Sequence, residues 1–541
     1  MQQTHSIRSD ESRESIRLFN PILLMTIISL SCIGAMIGIQ IIVTLGISAN
    51  TSIIGAVLAI LFSKLPFESL RLFKQLEAQN LVQTAISSAT FSAANGLLIS
   101  IGVPWALGMP ELVWPMLAGA SIAIIIDGTM LYGMFNSKAF PATAPWPAGV
   151  ATAETLWAGD KGGKKLWGLL AGFAAGVGGA YLGIPMASAG IAFIGSIFAL
   201  FMFAIGLLVR GFSAQGVIPF DLYANYVPHG FMIGAGLVAL IQIIVIITKN
   251  KKEEQSNPVD ERIESSEKLK KTLMKGAVFY FLTAMLLTYT TSLFTVMSFP
   301  MVLGFMVFAM MAAIVQEMIV GMAAMHSGWF PATAAALITL VIGMLIGFPP
   351  EALAVLVGFC VATGPSFADL GFDMKTGFMI RGSGENMKAE RAGRRLQYFS
   401  AVIGFLCAIV MVALTYDFYF SQDKIVPASR LYAATIEAGS SPEIAQNLLL
   451  WAIPGALLQF IGGARNQLGI LFSTGLMIHY PIAGWTVLAA LGIRIILERF
   501  FKLGVDNTSS FAGGLIAGDA LYSAAKVFFP LLKAKFIAFI R

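Results

Sequence analysis

Long apolar runs alternate with short polar breaks along almost the whole chain. They cover about residues 21–46, 51–63, 79–103, 113–134, 166–183, 188–209 and 228–248. After a charged interval they resume at about 275–297, 299–325, 331–348, 351–366, 397–416, 445–463, 467–496 and 509–530. Crossing a bilayer core takes about 20 apolar helical residues. The pattern therefore predicts an all-α polytopic membrane protein with about 16 transmembrane segments.

Two stretches break the pattern: 141–159 ("PATAPWPAGVATAETLWAG") and 211–227 ("GFSAQGVIPFDLYANYV"). Irregular backbone at membrane depth is tolerated where protein buries it or where it lines a cavity, so these predict re-entrant or broken helices. In secondary transporters such segments border the substrate. Pro147, Gly149, Glu154 and Asp221, together with His326 further along, are the candidates for a substrate path.

The charged interval divides the chain. Lys249–Lys275 is rich in lysines and acids, with Asn257-Pro258 in its middle. "DKGGKKL" (Asp160–Leu166) is echoed by "ERAGRRL" (Glu390–Leu396), position for position in residue type. A weaker echo pairs Tyr226–Ile246 with His479–Leu497. The expectation is two tandem related halves, 20–248 and 275–541, joined by a charged linker over 249–274. Residues 1–19 are polar and of mixed charge, without the build of a signal peptide, and are expected as a cytoplasmic tail. The basic residues flank apolar runs, so they act as positive-inside signals that keep the linker and the N-terminus in the cytoplasm. On that orientation, four crossings leave 137–165 inside, with 141–159 dipping in and returning; the alternative is that 141–159 spans, which leaves three lysines outside.

Composition agrees. The 541 residues are 57% hydrophobic and only 12% charged, and mean hydropathy is +0.79. A net charge of +6 spread around apolar runs excludes a nucleic-acid-binding face. Cys32, Cys360 and Cys407 all lie in apolar runs without metal-ligand spacing or a disulfide framework. "AGDKGGKK" resembles a phosphate loop, but Ala158 and Lys165 stand where a Walker motif needs Gly and Ser or Thr. No nucleophile or zinc-hydrolase motif is present. The Met-rich run at 301–325 is better explained by packing than by metal, and His229, His326 and His479 are dispersed.

Ionisable groups inside apolar segments are costly and point to function. Glu317 is the only Asp, Glu, Lys or Arg between Lys275 and Glu351, and Asp127 the only one between Glu111 and Lys138. Asp519 is the only acid in the last apolar run. These three are the candidates for carrying a coupling proton. Asp369, Asp373, Lys375 and Arg381 cluster just after an apolar run and are expected in a cytoplasmic loop, as candidates for a gate or as solvated charges that hold topology. Trp146, Trp157 and Trp167 read as interfacial anchors.

Four motifs in chain order resemble the oligopeptide transporter family. They are "PWPAGVATAETL" (Pro145–Leu156), "FADLGFDMKTGFMIRG" (Phe367–Gly382), Gly469–Arg499, and "GLIAGDAL" (Gly514–Leu521). One departure is "VGMAAMHSGWFPATAAA" (Val320–Ala336), where the family would place a Ser-Asn-Pro-like stretch. The resemblance implies a secondary transporter of about 16 helices that imports short peptides or peptide-like metal chelates, with protons as the driving ion and no resident metal or cofactor. A membrane-embedded transferase acting on lipid-linked substrates is the competing class. The scatter of lone acids in the sequence disfavours it. A passive channel is the third class, and the repeated halves favour a carrier over it.

Overall fold

A computed structural model describes residues 20–46, 51–64, 72–161, 164–254, 264–328, 332–439, 441–500, 508, 510–523, 525 and 526. The expected tail at 1–19, the middle of the linker and part of "DKGGKKL" lie outside these residues.

The chain is helical almost throughout. Its first part comprises α1 (Pro21–Leu45), α2 (Thr51–Ser63), α3 (Leu76–Phe91), α4 (Ile99–Ala106) and α5 (Val113–Met134). Next come α6 (Pro147–Lys161), α7 (Lys164–Tyr181), α8 (Met186–Ile194), α9 (Ile197–Ala214) and α10 (Val227–Glu254). Then follow α11 (Ser266–Thr290), α12 (Phe299–Ser327), α13 (Ala332–Ile346), α14 (Pro350–Ala362) and α15 (Pro365–Ile380). The series ends with α16 (Met387–Phe420), α17 (Pro427–Ala438), α18 (Pro442–Asn466), α19 (Leu468–Met477) and α20 (Pro481–Phe500), and residues 510–523 are helical too. Among the described residues, ten helical segments are long and apolar enough to cross a membrane, and several shorter apolar helices accompany them.

The outer faces carry large apolar side chains in the open, among them Phe299, Leu345, Ile461 and Phe500, each more than 70% exposed. A soluble protein would hide such a belt; a bilayer supplies its solvent.

Two long segments sit at the centre, each enclosed by protein along its apolar core: Leu76–Ala106 and Pro350–Ile380. They run antiparallel, since α3 packs on α15 while α4 packs on α14. Each is interrupted midway. A π-helical turn, Ser92–Leu98, separates α3 from α4. Between α14 and α15, Thr363 is extended and Gly364 takes φ 100°, a conformation that favours glycine. Pro365 then starts α15 at a position where its missing N–H costs nothing. The two interruptions meet, with the hydroxyls of Ser92 and Ser366 2.8 Å apart. α1 and α16 pack against α3, and α5 against α14 and α15.

Several sequence expectations change here. The run at 79–103 is two α-helices around a π turn. The runs at 188–209 and 467–496 each divide into two helices, at Gly195-Ser196 and at Ile478–Tyr480. Residues 147–161 are a regular helix, so only 141–146 of the first Pro-rich stretch is irregular. The stretch that carries Asp369, Asp373 and Lys375 is not a loop but the buried helix α15, with Arg381 as its C-cap. Helices enter the charged linker from both sides, α10 to Glu254 and α11 from Ser266. "ERAGRRL" forms early turns of α16.

Candidate functional site

Two of the expected lone acids come together. Asp127 on α5 and Glu317 on α12 are both fully buried, and Tyr280 on α11 stands between them. The Tyr280 hydroxyl is 2.7 Å from Asp127 Oδ1 and 3.2 Å from Glu317 Oε2. A phenol has one proton. At 2.7 Å it goes to Asp127, so the Glu317 contact becomes a hydrogen bond when Glu317 supplies a proton of its own. The second oxygen of Glu317 has no partner among the described residues. The second oxygen of Asp127 accepts the N–H of Gly364 at 2.6 Å. Asp127 thus caps the start of α15, where the positive end of the helix favours an acid.

One turn into α15, Asp369 and Asp373 project toward α2 and α3. Ser87 Oγ lies 2.9 and 3.1 Å from the two carboxylate oxygens of Asp369. Asp373 Oδ1 accepts from Gln83 Nε2 at 2.6 Å and Ser52 Oγ at 2.9 Å, and Gln397 donates to the Asp373 carbonyl at 2.8 Å. All these groups are buried. Nothing in the α3 sequence but its unusual run of Gln, Asn, Ser and Thr in a membrane helix signals this seam.

The other end of α15 is pinned as well. Lys375 Nζ donates to the carbonyls of Ala142 and Ala144 at 2.8 and 3.0 Å, which fixes the irregular stretch before α6. Thr376 donates to the Gly149 carbonyl at 2.9 Å. A Cβ on Gly149 would collide with the Phe372 carbonyl oxygen and stand 2.7 Å from Lys375 Cβ, so α6 and α15 pack this closely because residue 149 is glycine. Arg381 makes a buried ion pair with Glu390 at 2.7 Å and donates to Gln397 at 2.8 Å.

A cavity of about 710 Å³ opens beside this seam. That is within the range of small-molecule sites, about 300–1,000 Å³. Helix interruptions meet around it: Asn95 of the π turn, Pro365 at the start of α15, Ser196 between α8 and α9, and Asn466 and Gln467 between α18 and α19. Ser196 donates to Asn466 Oδ1 at 3.0 Å, joining the second pair of breaks as Ser92 and Ser366 join the first. Pro147 lines the cavity at the head of α6. The wall is mostly apolar, and Asp369 is the only charged residue among its described lining.

The short helix α8, on the cavity wall through Ile191 and Ile194, is held at both ends by charge. Asp519 Oδ2 accepts the N–H of Ala187 at 2.5 Å, near its N-terminus. Arg494 Nη1 donates to the carbonyls of Ala192 and Gly195 at 3.0 and 2.6 Å, near its C-terminus. Each charge suits the end of the dipole it meets. Sequence reasoning found Asp519 but missed Arg494, whose signal was an arginine inside the apolar run of α20.

Other expected residues lie apart from the cavity. Glu154 is exposed on α6. Asp221 sits exposed in the turn after α9, where the N–H groups of Ala224 and Tyr223 hold its carboxyl below the usual range. His326 is in the last turn of α12. Trp146 is no interfacial anchor: it is fully buried, its backbone N–H donates to the Met325 carbonyl at 2.8 Å and its indole N–H to the Pro141 carbonyl at 3.1 Å.

Interrupted helices enclosing a cavity, inside a shell of apolar faces, define a multi-pass integral membrane protein of the transporter type. The chain matches the family model described as OPT oligopeptide transporter protein over residues 23–214 and 172–529. It belongs to the oligopeptide transporter family. No curated protein matches the chain.

Proposed function

We propose that the protein is a secondary active transporter that imports short peptides or peptide-like metal chelates by proton symport, alternating the access of its cavity between the two sides. Glu317 takes up and releases the coupling proton, and Asp127 and Tyr280 position it. The observation that carries this reading is the Asp127 carboxylate, which touches the Tyr280 hydroxyl on one side and the Gly364 N–H on the other. A change of proton on Glu317 alters how the Tyr280 hydroxyl is shared, and therefore the cap of the helix that brings Asp369 to the cavity. Asp519 then acts as a helix anchor for α8 rather than as a proton carrier. Asp369 belongs to the substrate path together with Pro147, while Asp373, Lys375 and Arg381 hold α15 in place during the change of access.

The family, the cavity and the pairing of the acids favour this reading over a transferase. About 16 crossings in two related halves, a cytoplasmic N-terminus and residence in the cell membrane complete the proposal. Uptake in proteoliposomes with an imposed pH gradient tests it. Glu317→Gln is expected to abolish accumulation above equilibrium while leaving substrate exchange. Full pH-dependent accumulation by that variant would refute the role of Glu317.

A further inference from the structure

The cavity carries a second polar feature opposite in character to Asp369. Gln467 is 92% buried, faces the cavity, and its side-chain amide has no hydrogen-bond partner among the described residues. Its backbone is left-handed, with φ 50° and ψ 42°, because α18 ends and α19 begins there. The first N–H groups of a helix have no partner inside it. At the start of α19 only that of Ile470 is taken by a side chain, Gln459 Oε1 at 3.4 Å. Beside Gln467, Asn466 has its Oδ1 engaged by Ser196, which leaves its amide N–H2 to donate. Ser196 in turn is the N-cap of α9 and its side chain does not close that helix.

We infer that Gln467, Asn466 and the amide end of α19 form a carboxylate subsite, while Asp369 receives an ammonium group, so that the cavity binds a linear zwitterion by both termini. The inference rests on the carrier reading above and narrows its substrate to short peptides with free ends. Donors that are all neutral hold a carboxylate without introducing a base beside Asp369. The described wall between the polar groups is apolar and offers no Cys or His to a metal, and suits small apolar side chains. A side-chain amide held in a mostly apolar wall without a partner is costly. A bound carboxylate removes that cost, which gives the empty cavity a reason to discriminate.

The test uses the full-length protein in proteoliposomes with an inward pH gradient. Uptake of radiolabelled trialanine is competed with unlabelled trialanine, its C-terminal amide and its N-acetyl form. The wild type is expected to bind both blocked forms about tenfold or more weakly. Gln467→Glu keeps the size of the side chain and puts a negative charge at the subsite. It is expected to lose trialanine yet retain the amide, which reverses the preference. Asp369→Asn is expected to erase the penalty for N-acetylation while keeping that for amidation. Thermal unfolding of the variants verifies that they are folded. Equal competition by the amide in the wild type overturns the inference, as does unchanged preference in a folded Gln467→Glu. Accumulation of a ferric–nicotianamine chelate but not of trialanine also overturns it and leaves the carrier reading intact. Failure of every substrate to accumulate defeats that reading itself.

Discussion

Asp127 accepts the backbone N–H of Gly364 at 2.6 Å, across 237 positions of chain. This bond ties the buried acid pair to the break in the central helix. Five residues beyond Gly364, the same helix presents Asp369 to the cavity. The buried acid pair and the cavity acid are thereby attached to one helix, and under the proposed function that helix couples the proton to the substrate.

Tyr280→Phe removes the shared hydroxyl and little else. The ring keeps its place against Phe359, whose centroid is 6.0 Å away. A hydrogen bond to a charged group contributes about 1.5–3 kcal/mol, so the accumulation ratio at a fixed pH gradient is expected to fall about tenfold or more. Counterflow, which needs no net proton movement, should survive. Parallel measurements of accumulation and counterflow on one preparation check this; equal loss of both would show that Tyr280 serves folding instead.

Gly149→Ala forces a methyl into the Phe372 carbonyl and the Lys375 side chain. Overpacking of this kind costs about 1–3 kcal/mol. Gly178 on α7 has open space at its Cβ position, and alanine there gains helix propensity, up to about 1 kcal/mol. The detergent-solubilised Gly149→Ala protein is expected to unfold at lower temperature than the wild type, and Gly178→Ala at equal or higher temperature.

Arg381→Ala strands Glu390, which is 2% exposed. Removing one partner of a buried ion pair costs about 3–5 kcal/mol. Combining it with Glu390→Gln removes the uncompensated charge and should restore part of the loss. The four corners of this double-mutant cycle, compared by thermal unfolding, give the coupling directly.

Glu264 ends the charged linker against α16. Its N–H donates to the Asn136 carbonyl at 2.9 Å, and its carboxylate meets Lys268, Arg394 and Arg391 at 3.2–3.4 Å. Burial by itself would raise its carboxyl, but Lys268, followed by Arg391 and Arg394, outweighs that and holds it below the ordinary range. With the folded value depressed, the contribution to stability is present above the ordinary glutamate pKa of about 4.3 and is lost as pH falls through the folded value. The group is partly solvated, so the effect is at most about 1 kcal/mol. Glu264→Gln is expected to lower the unfolding temperature slightly at pH 7, and the difference should shrink as pH falls below about 4.3 and vanish once the wild-type carboxyl is protonated in the folded protein. A difference that persists in acid would assign the effect to the backbone contact instead.

The sequence made some of this legible and hid the rest for physical reasons. Runs such as 113–134 and 299–325 became α5 and α12 with nearly those bounds, because lipid-facing helices must be apolar along their length. Asp127 and Glu317 stood out because nothing else charged lay near them in sequence, but their pairing through Tyr280 depends on packing of three helices and leaves no local trace. α15 escaped because a helix enclosed by protein owes nothing to hydropathy: its Asp369, Asp373 and Lys375 have partners on α2, α3 and the loop before α6, and in sequence they resemble a solvated loop. α17, short and only partly apolar, was missed for a similar reason. Gln467 carries no charge, and only the left-handed turn that aims it into the cavity gives it meaning.

The enclosure of Leu76–Ala106 has a consequence for biogenesis. That segment is studded with Gln83, Thr84, Ser87 and Ser92, whose hydrogen-bond partners include residues of α15 and α16. It emerges from the ribosome about half a chain length before Pro350–Ile380. Until that second segment is made, these amides and hydroxyls face lipid or water without their native acceptors. The newborn chain therefore completes its centre late, and the membrane must hold a partly polar helix in waiting while the intervening helices are assembled around it.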